Sequence, residues 1–191
     1  MRGLVRTAEV QAAILIVCVA LAWVLEIVDQ VVFGESLDRF GIRPRDVSAL
    51  WGILVAPLLH GGWAHLATNT VPFVVLAWLV MLRRVRDFFI VTALVIVGGG
   101  LGVWLIAAPN TVHIGASGVI FGYVGYLLAR GYFERSLWSV LVALVVAGVY
   151  GGALFGLLPG QPGVSWEGHL TGFVSGVGSG KLLANRVHKA G

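Results

Sequence analysis

Long apolar runs dominate this chain, and they dictate the solvent it folds in. Six can be marked: Val10–Val28, Trp63–Leu82, Phe88–Ile106, Ser117–Ala129, Leu137–Leu158 and Gly168–Ala184. Most reach the roughly 20 residues that an α-helix needs to cross a hydrocarbon core of about 30 Å. Residues 58% hydrophobic and 12% charged stand against about 45–50% and about 25% in soluble domains. That balance excludes a disordered chain and a nucleic-acid module, and it argues against a soluble globule. The expectation is an all-α polytopic membrane protein with one domain over 1–191, because open strand edges cannot be left unpaired in lipid. The first run is too long for a signal-peptide core and continues into Glu26 and Asp29 without a small-residue cleavage site, so it reads as an anchor. The single cysteine, Cys18, excludes an intrachain disulfide and a cysteine-only metal cluster. The 27 glycines are about twice ordinary usage and imply closely packed helices.

The basic residues carry the orientation. Arg2 and Arg6, Arg83, Arg84 and Arg86, Arg130 and Arg135, and Lys181, Arg186 and Lys189 make ten of the 13 Lys and Arg. All ten fall on one side if both termini are cytoplasmic, as the positive-inside rule requires. The segments 29–62, 107–116 and 159–167 then face outward. The long 29–62 loop holds Trp51 and Pro57 among apolar residues, which suits a position partly in the interface. A plasma-membrane location with the site opening to the extracytoplasmic side is expected.

The fourth run departs from the rest. Ser117–Ala129 has 13 residues, about 20 Å of helix, which is about 10 Å short of the hydrocarbon thickness. If it ends at the cytoplasmic face beside Arg130, Ser117 starts a helix below the outer surface. The loop before it must dip inward, and irregular backbone at that depth is tolerated only inside protein or beside a wet cavity.

Polar residues gather at the same depth. His65 and Asn69 are four apart on one helix face, and His169 opens the sixth run. Polar groups within spans are expensive and face the bundle interior. Ser117 sits in Gly115-Ala116-Ser117-Gly118 at a loop-to-helix junction, where free backbone N–H groups also point. Serine attacks only when a base takes its proton, and histidine is the usual base. His65 and Asn69 can donate to a developing oxyanion. Glu167 is two residues from His169 and so on another face, which leaves a Ser–His dyad. Gly168, Gly172, Gly176 and Gly180 recur every four residues, and Gly118, Gly122 and Gly125 nearly so. Two such stripes let helices touch closely and would bring His169 to Ser117.

These pieces resemble the rhomboid family of intramembrane serine proteases. The matching blocks are His60–Asn69 (HGGWAHLATN), Gly115–Gly125 (GASGVIFGYVG) and Gly168–Gly176 (GHLTGFVSG), in family order over nearly the whole chain. The resemblance implies a six-transmembrane-helix bundle of the minimal bacterial type with a short central fourth helix. It implies Ser117 as nucleophile and His169 as general base and later acid. It implies His65, Asn69 and the Ser117 backbone N–H as oxyanion donors, and His60 as a supporting residue. Transmembrane proteins in the bilayer would be the substrates, cut in or near their spans, with no cofactor or metal. Two positions depart from the family pattern. Phe121 stands where many members carry a tyrosine, and Trp51-Gly52 stands where Trp-Arg is frequent.

Other readings remain open on the residues alone. Ser117 also suits a helix N-cap. His65 and Asn69 also suit interhelical hydrogen-bond glue, worth about 0.6 kcal/mol on average. A non-cleaving, client-binding pseudoenzyme is the alternative function. A small transporter would need paired intramembrane charges, for which Glu26 and Asp29 are the candidates. No HExxH pair or acidic ligand cluster suggests a metal, and His113 and His188 are assigned no chemistry.

Overall fold

The computed structural model describes the backbone of residues 2–188 and the side chains of residues 7–184. The side chains of Arg2, Arg6, Arg186, His188 and Lys189 lie outside the described residues. Seven α-helices follow one another: α1 (Arg2–Val28), α2 (Gly52–Val55), α3 (Trp63–Met81), α4 (Val85–Ile106), α5 (Ser117–Glu134), α6 (Leu137–Tyr150) and α7 (Trp166–His188). Among the described residues no strand forms; one antiparallel bridge joins Ile42 to His113.

Among the described residues four helical segments are long and apolar enough to cross a membrane: Thr7–Phe33, Trp63–Met81, Val85–Ile106 and Leu137–Leu157. The sequence leads one to expect six. Of the two remaining long helices, α5 occupies the middle of the bundle, and α7 packs on it along one side and keeps Val174 and Leu182 exposed. Most of α5 is buried, and α7 lies against both α5 and α4. A helix ringed by other helices meets protein rather than lipid, so it can carry glycine, hydroxyls and charge instead of a continuous apolar surface.

Helix α5 does not stop at Ala129 as its apolar run does; it continues to Glu134. Its 18 residues make about 27 Å rather than about 20 Å of helix. The extension is held by charge. Arg130 Nε donates to Glu134 at 2.8 Å one turn on, and Arg83 bridges Glu134 and Asp87 at 3.0 Å each. Helix α6 ends early, at Tyr150, where Gly151-Gly152 raises the entropic cost of continuing. The chain tightens instead into a 3₁₀ segment, Gly151–Leu157.

The glycine stripes meet as expected at their centre. A Cβ on Gly172 would collide with the Gly118 carbonyl, and one on Gly176 with the Gly122 carbonyl. Helix α4 adds a third close face, with Gly99 against the Gly172 backbone. Gly168 departs from the stripe, because its missing side chain is opposed by Ser165 rather than by α5.

The 29–62 segment is folded and pinned to the end of α4. Arg45 donates from its guanidinium to the carbonyls of Leu105 at 3.0 Å and Ala107 at 2.7 Å. These are the last acceptors of α4, which a cation satisfies well. Trp104 Nε1 donates back to the Asp46 carbonyl at 3.2 Å. The Trp51-Gly52 departure has a steric reason, since a side chain at Gly52 would run into the Gly41 carbonyl. Trp51 packs on Phe40 at 5.4 Å, and the Arg39 guanidinium lies 4.9 Å over Phe40. An arginine therefore does sit in this aromatic group, supplied from a different place in the loop.

Candidate active site

Ser117 is the first residue of α5, so the N–H groups of that first turn have no partner within the helix. The turn into the helix depends on Gly115, which has φ +107°. That conformation favours glycine, and a Cβ there would also meet the His65 ring at 2.8 Å. Gly115 N–H donates to the Ala56 carbonyl at 2.9 Å. Ala116 N–H donates to His60 Nε2 at 3.3 Å. The backbone on which Ser117 sits is thus tied twice to the 29–62 loop.

His60 is 1% exposed, and its proton position follows from its partners. Nε2 accepts from Ala116, so Nδ1 carries the hydrogen and donates to the Leu58 carbonyl at 3.3 Å. Burial first, and the neighbouring His65 second, push its pKa down from 6.5 to about 4. The folded protein therefore resists a proton that the unfolded chain accepts, and stability contributed by neutral His60 is lost as pH falls from 6.5 toward 4. Thermal unfolding of the wild type across that window is expected to show the loss. A His60→Asn variant should be less stable at neutral pH and show a shallower acid slope. An identical slope in the two proteins would remove His60 as the cause.

His65 is oriented the opposite way. Its Nδ1 accepts from Gly61 N–H at 3.2 Å, which leaves the hydrogen on Nε2, the atom lying against Gly115. Asn69 is 8% exposed, and its buried Nδ2 has no hydrogen-bond partner among the described residues. A buried donor left unpaired costs about 1–3 kcal/mol, a cost that persists where a donor awaits a ligand. Both donors border the Gly115–Ser117 turn.

His169 lies in the first turn of α7. Its Nδ1 donates to the Gly156 carbonyl at 3.0 Å. With the hydrogen held there, Nε2 keeps a free lone pair. Phe121 stacks on the imidazole at 4.1 Å between centroids and 13° between planes. Phe121 is four residues after Ser117, one turn on along the same face of α5. The ring that Phe121 covers therefore lies beside the helix face from which Ser117 projects. The backbones agree, since a Cβ on Gly118 would sit 3.3 Å from the Gly168 carbonyl. Ser117, His169, His65 and Asn69 all line one open cavity of about 660 Å³. Gly172 and Gly176 hold the two helices together below it.

Three contributors carry no recognisable pattern in the sequence. Gly156 acts through its carbonyl, which every residue possesses. His113 and Ser165 bond to each other at 2.6 Å beside the cavity, from positions whose residue types alone signal nothing. Among the described residues no group of three or more His, Cys, Asp or Glu is arranged to hold a metal ion.

A bundle of lipid-compatible helices around an interior cavity defines a multi-pass membrane protein. Residues 47–186 match the Rhomboid domain, and the chain belongs to the rhomboid family. It is 47% identical over 180 residues to an uncharacterized protein of Mycobacterium tuberculosis, covering 90% of this chain and 75% of that one. An uncharacterized protein of Mycobacterium leprae is 43% identical over 173 residues, 86% of this chain and 68% of that protein. Rhomboid-like protease 5 of Toxoplasma gondii is 32% identical over 153 residues, 76% of this chain and 18% of the parasite protein.

Proposed function

We propose that this protein is an intramembrane serine endopeptidase that cleaves membrane proteins in or near their transmembrane segments. The observation that carries this reading is the Phe121–His169 stack at 4.1 Å, which supports an imidazole one helical turn from Ser117. His169, with Nδ1 engaged by the Gly156 carbonyl, offers Nε2 as the base. It takes the Ser117 proton as Oγ attacks the substrate carbonyl, and the carbonyl π electrons move to oxygen. Asn69 Nδ2, His65 Nε2–H and the Ser117 N–H then donate to that oxyanion. Collapse of the tetrahedral species expels the amine, which takes the proton from His169. Water, deprotonated by the same ring, hydrolyses the acyl-enzyme. A backbone carbonyl orients the ring where a triad would use a carboxylate. Phe121 holds the plane of the ring by stacking, which needs no hydroxyl.

The same reading covers placement. Six membrane-crossing helices, both termini cytoplasmic, residence in the plasma membrane and an extracytoplasmic cavity are proposed from the distribution of basic residues. A substrate span would unwind its end into the cavity.

The test is purified protein reconstituted with a tagged transmembrane substrate, read by mass spectrometry of the fragments and by fluorophosphonate labelling. Cleavage with a covalent adduct on Ser117 is expected. Client binding with neither cleavage nor adduct would establish the pseudoenzyme instead. Within this assay, Asn69→Ala is expected to lower kcat about 10²- to 10³-fold with KM little changed, as loss of one oxyanion donor does. A KM effect alone would assign Asn69 to substrate binding.

A further inference from the structure

The loop that leads to Ser117 and the helix that carries His169 in its first turn are fastened by a second histidine–serine pair. His113 Nδ1 lies 2.6 Å from Ser165 Oγ, and its Nε2 lies 2.9 Å from Thr111 Oγ1. Thr111 is already committed, because its hydroxyl donates to the Ala108 carbonyl at 2.6 Å. Its oxygen can therefore only accept from His113, so the hydrogen of the imidazole is on Nε2. Nδ1 is then a lone pair, and the Ser165 hydroxyl donates to it. Ser165 Oγ also accepts from Gly168 N–H at 3.2 Å, as an N-cap does. For a neutral ring, one arrangement of protons satisfies the whole chain of contacts. Burial lowers the pKa of His113, against a smaller opposing influence from Glu167, which suits that form.

The geometry of the backbone gives the pair its leverage. His113 exchanges both of its backbone hydrogen bonds with Ile42, at 2.9 and 3.0 Å, so the ring stands on a fixed base. Ser117 follows His113 by four residues, and His169 follows Ser165 by four. The other ties of the Ser117 turn run to Ala56 and His60. Among the described hydrogen bonds, His113–Ser165 is the direct link between the 107–116 loop and the start of α7.

We propose that His113 is a positioning residue for the Ser117–His169 pair: its neutral Nε2–H imidazole accepts a hydrogen bond from the Ser165 hydroxyl at Nδ1 and sets the spacing of the two segments. This rests on the serine-protease reading of the same site, and it assigns a role that the dyad itself does not supply.

The full chain in detergent, labelled with ¹⁵N-histidine, tests the proposal without reference to activity. His113, assigned by the signal lost in His113→Gln, is expected in the Nε2–H form near neutral pH, and His113→Leu should shift the His169 ring signals. Fluorophosphonate labelling of Ser117 then reads the alignment itself. His113→Leu is expected to slow it about 10- to 100-fold, the effect of a small misplacement, with substrate KM changed less than about two-fold. His113→Gln keeps an acceptor and a donor and should recover most of the rate. Because Ser165→Ala removes the same bond, adding His113→Leu to it should cost little more. A His113 in the Nδ1–H form, unshifted His169 signals, or wild-type labelling by His113→Leu would each overturn the proposal. Equal losses in the Leu and Gln variants that track unfolding would overturn it as well. Wild-type protein that never labels at Ser117, yet shows the expected tautomer and shifts, would instead sink the protease reading and leave the clasp standing.

Discussion

Replacing Ser117 by alanine, or His169 by alanine, is expected to lower kcat for a transmembrane substrate by about 10⁴-fold or more, with the fold retained. In the proposed mechanism the two groups act as one device. The imidazole has no proton to take without the hydroxyl, and the hydroxyl is a poor nucleophile without the imidazole. The double variant should therefore be no worse than either single one. Circular dichroism and size-exclusion profiles matching the wild type would show that chemistry, not folding, was lost. Residual cleavage within ten-fold of wild type by either variant would end the dyad assignment. The orienting role proposed for Gly156 cannot be read by deleting its carbonyl, but under the proposed mechanism it accounts for a site without an acidic residue beside His169. Nδ1 is already satisfied at 3.0 Å, so a carboxylate there would be redundant.

The second large effect is on stability. Gly176→Ala places a methyl group into the Gly122 carbonyl, and Gly172→Ala does the same at Gly118. Both obstacles are backbone, so no rotamer change relieves them. Helices α5 and α7 must separate, at a cost of about 2–3 kcal/mol for each substitution. Gly148→Ala on α6 is the control, since nothing lies within 4 Å of its added carbon and alanine favours a helix by about 1 kcal/mol. Thermal or denaturant unfolding in one detergent should rank Gly148→Ala at or above wild type and the other two well below. Gly172→Ala should also lose activity ahead of Gly176→Ala, because Gly118 adjoins Ser117. A wild-type unfolding midpoint for Gly176→Ala would refute the close contact.

Much of the architecture was legible in the chain because lipid is an unforgiving solvent. It demands apolar length, and α1, α3, α4 and the α6 segment display it. The same signal stopped α5 at Ala129, short of its end at Glu134. That boundary depends on contacts with distant residues, such as Arg83 meeting Glu134, and no local pattern contains such a pairing. Ser117, His169, His65 and Asn69, which line one cavity, could be singled out in the chain because polar side chains among apolar ones are conspicuous. The sequence also allowed Phe121 to stack, and it does.

Residue types and their spacing, then, were enough to determine the solvent, the helical class, the family blocks and the polar groups worth examining. Only the tertiary structure decided which nitrogen of His60, His169 and His113 holds the hydrogen, because that depends on partners brought together by folding: Leu58 and Ala116 for His60, Gly156 for His169, Thr111 and Ser165 for His113. Side-chain chemistry is local and can be read in order along the chain. A tautomer is set by what folding places opposite each ring atom, often a carbonyl that looks the same at every residue.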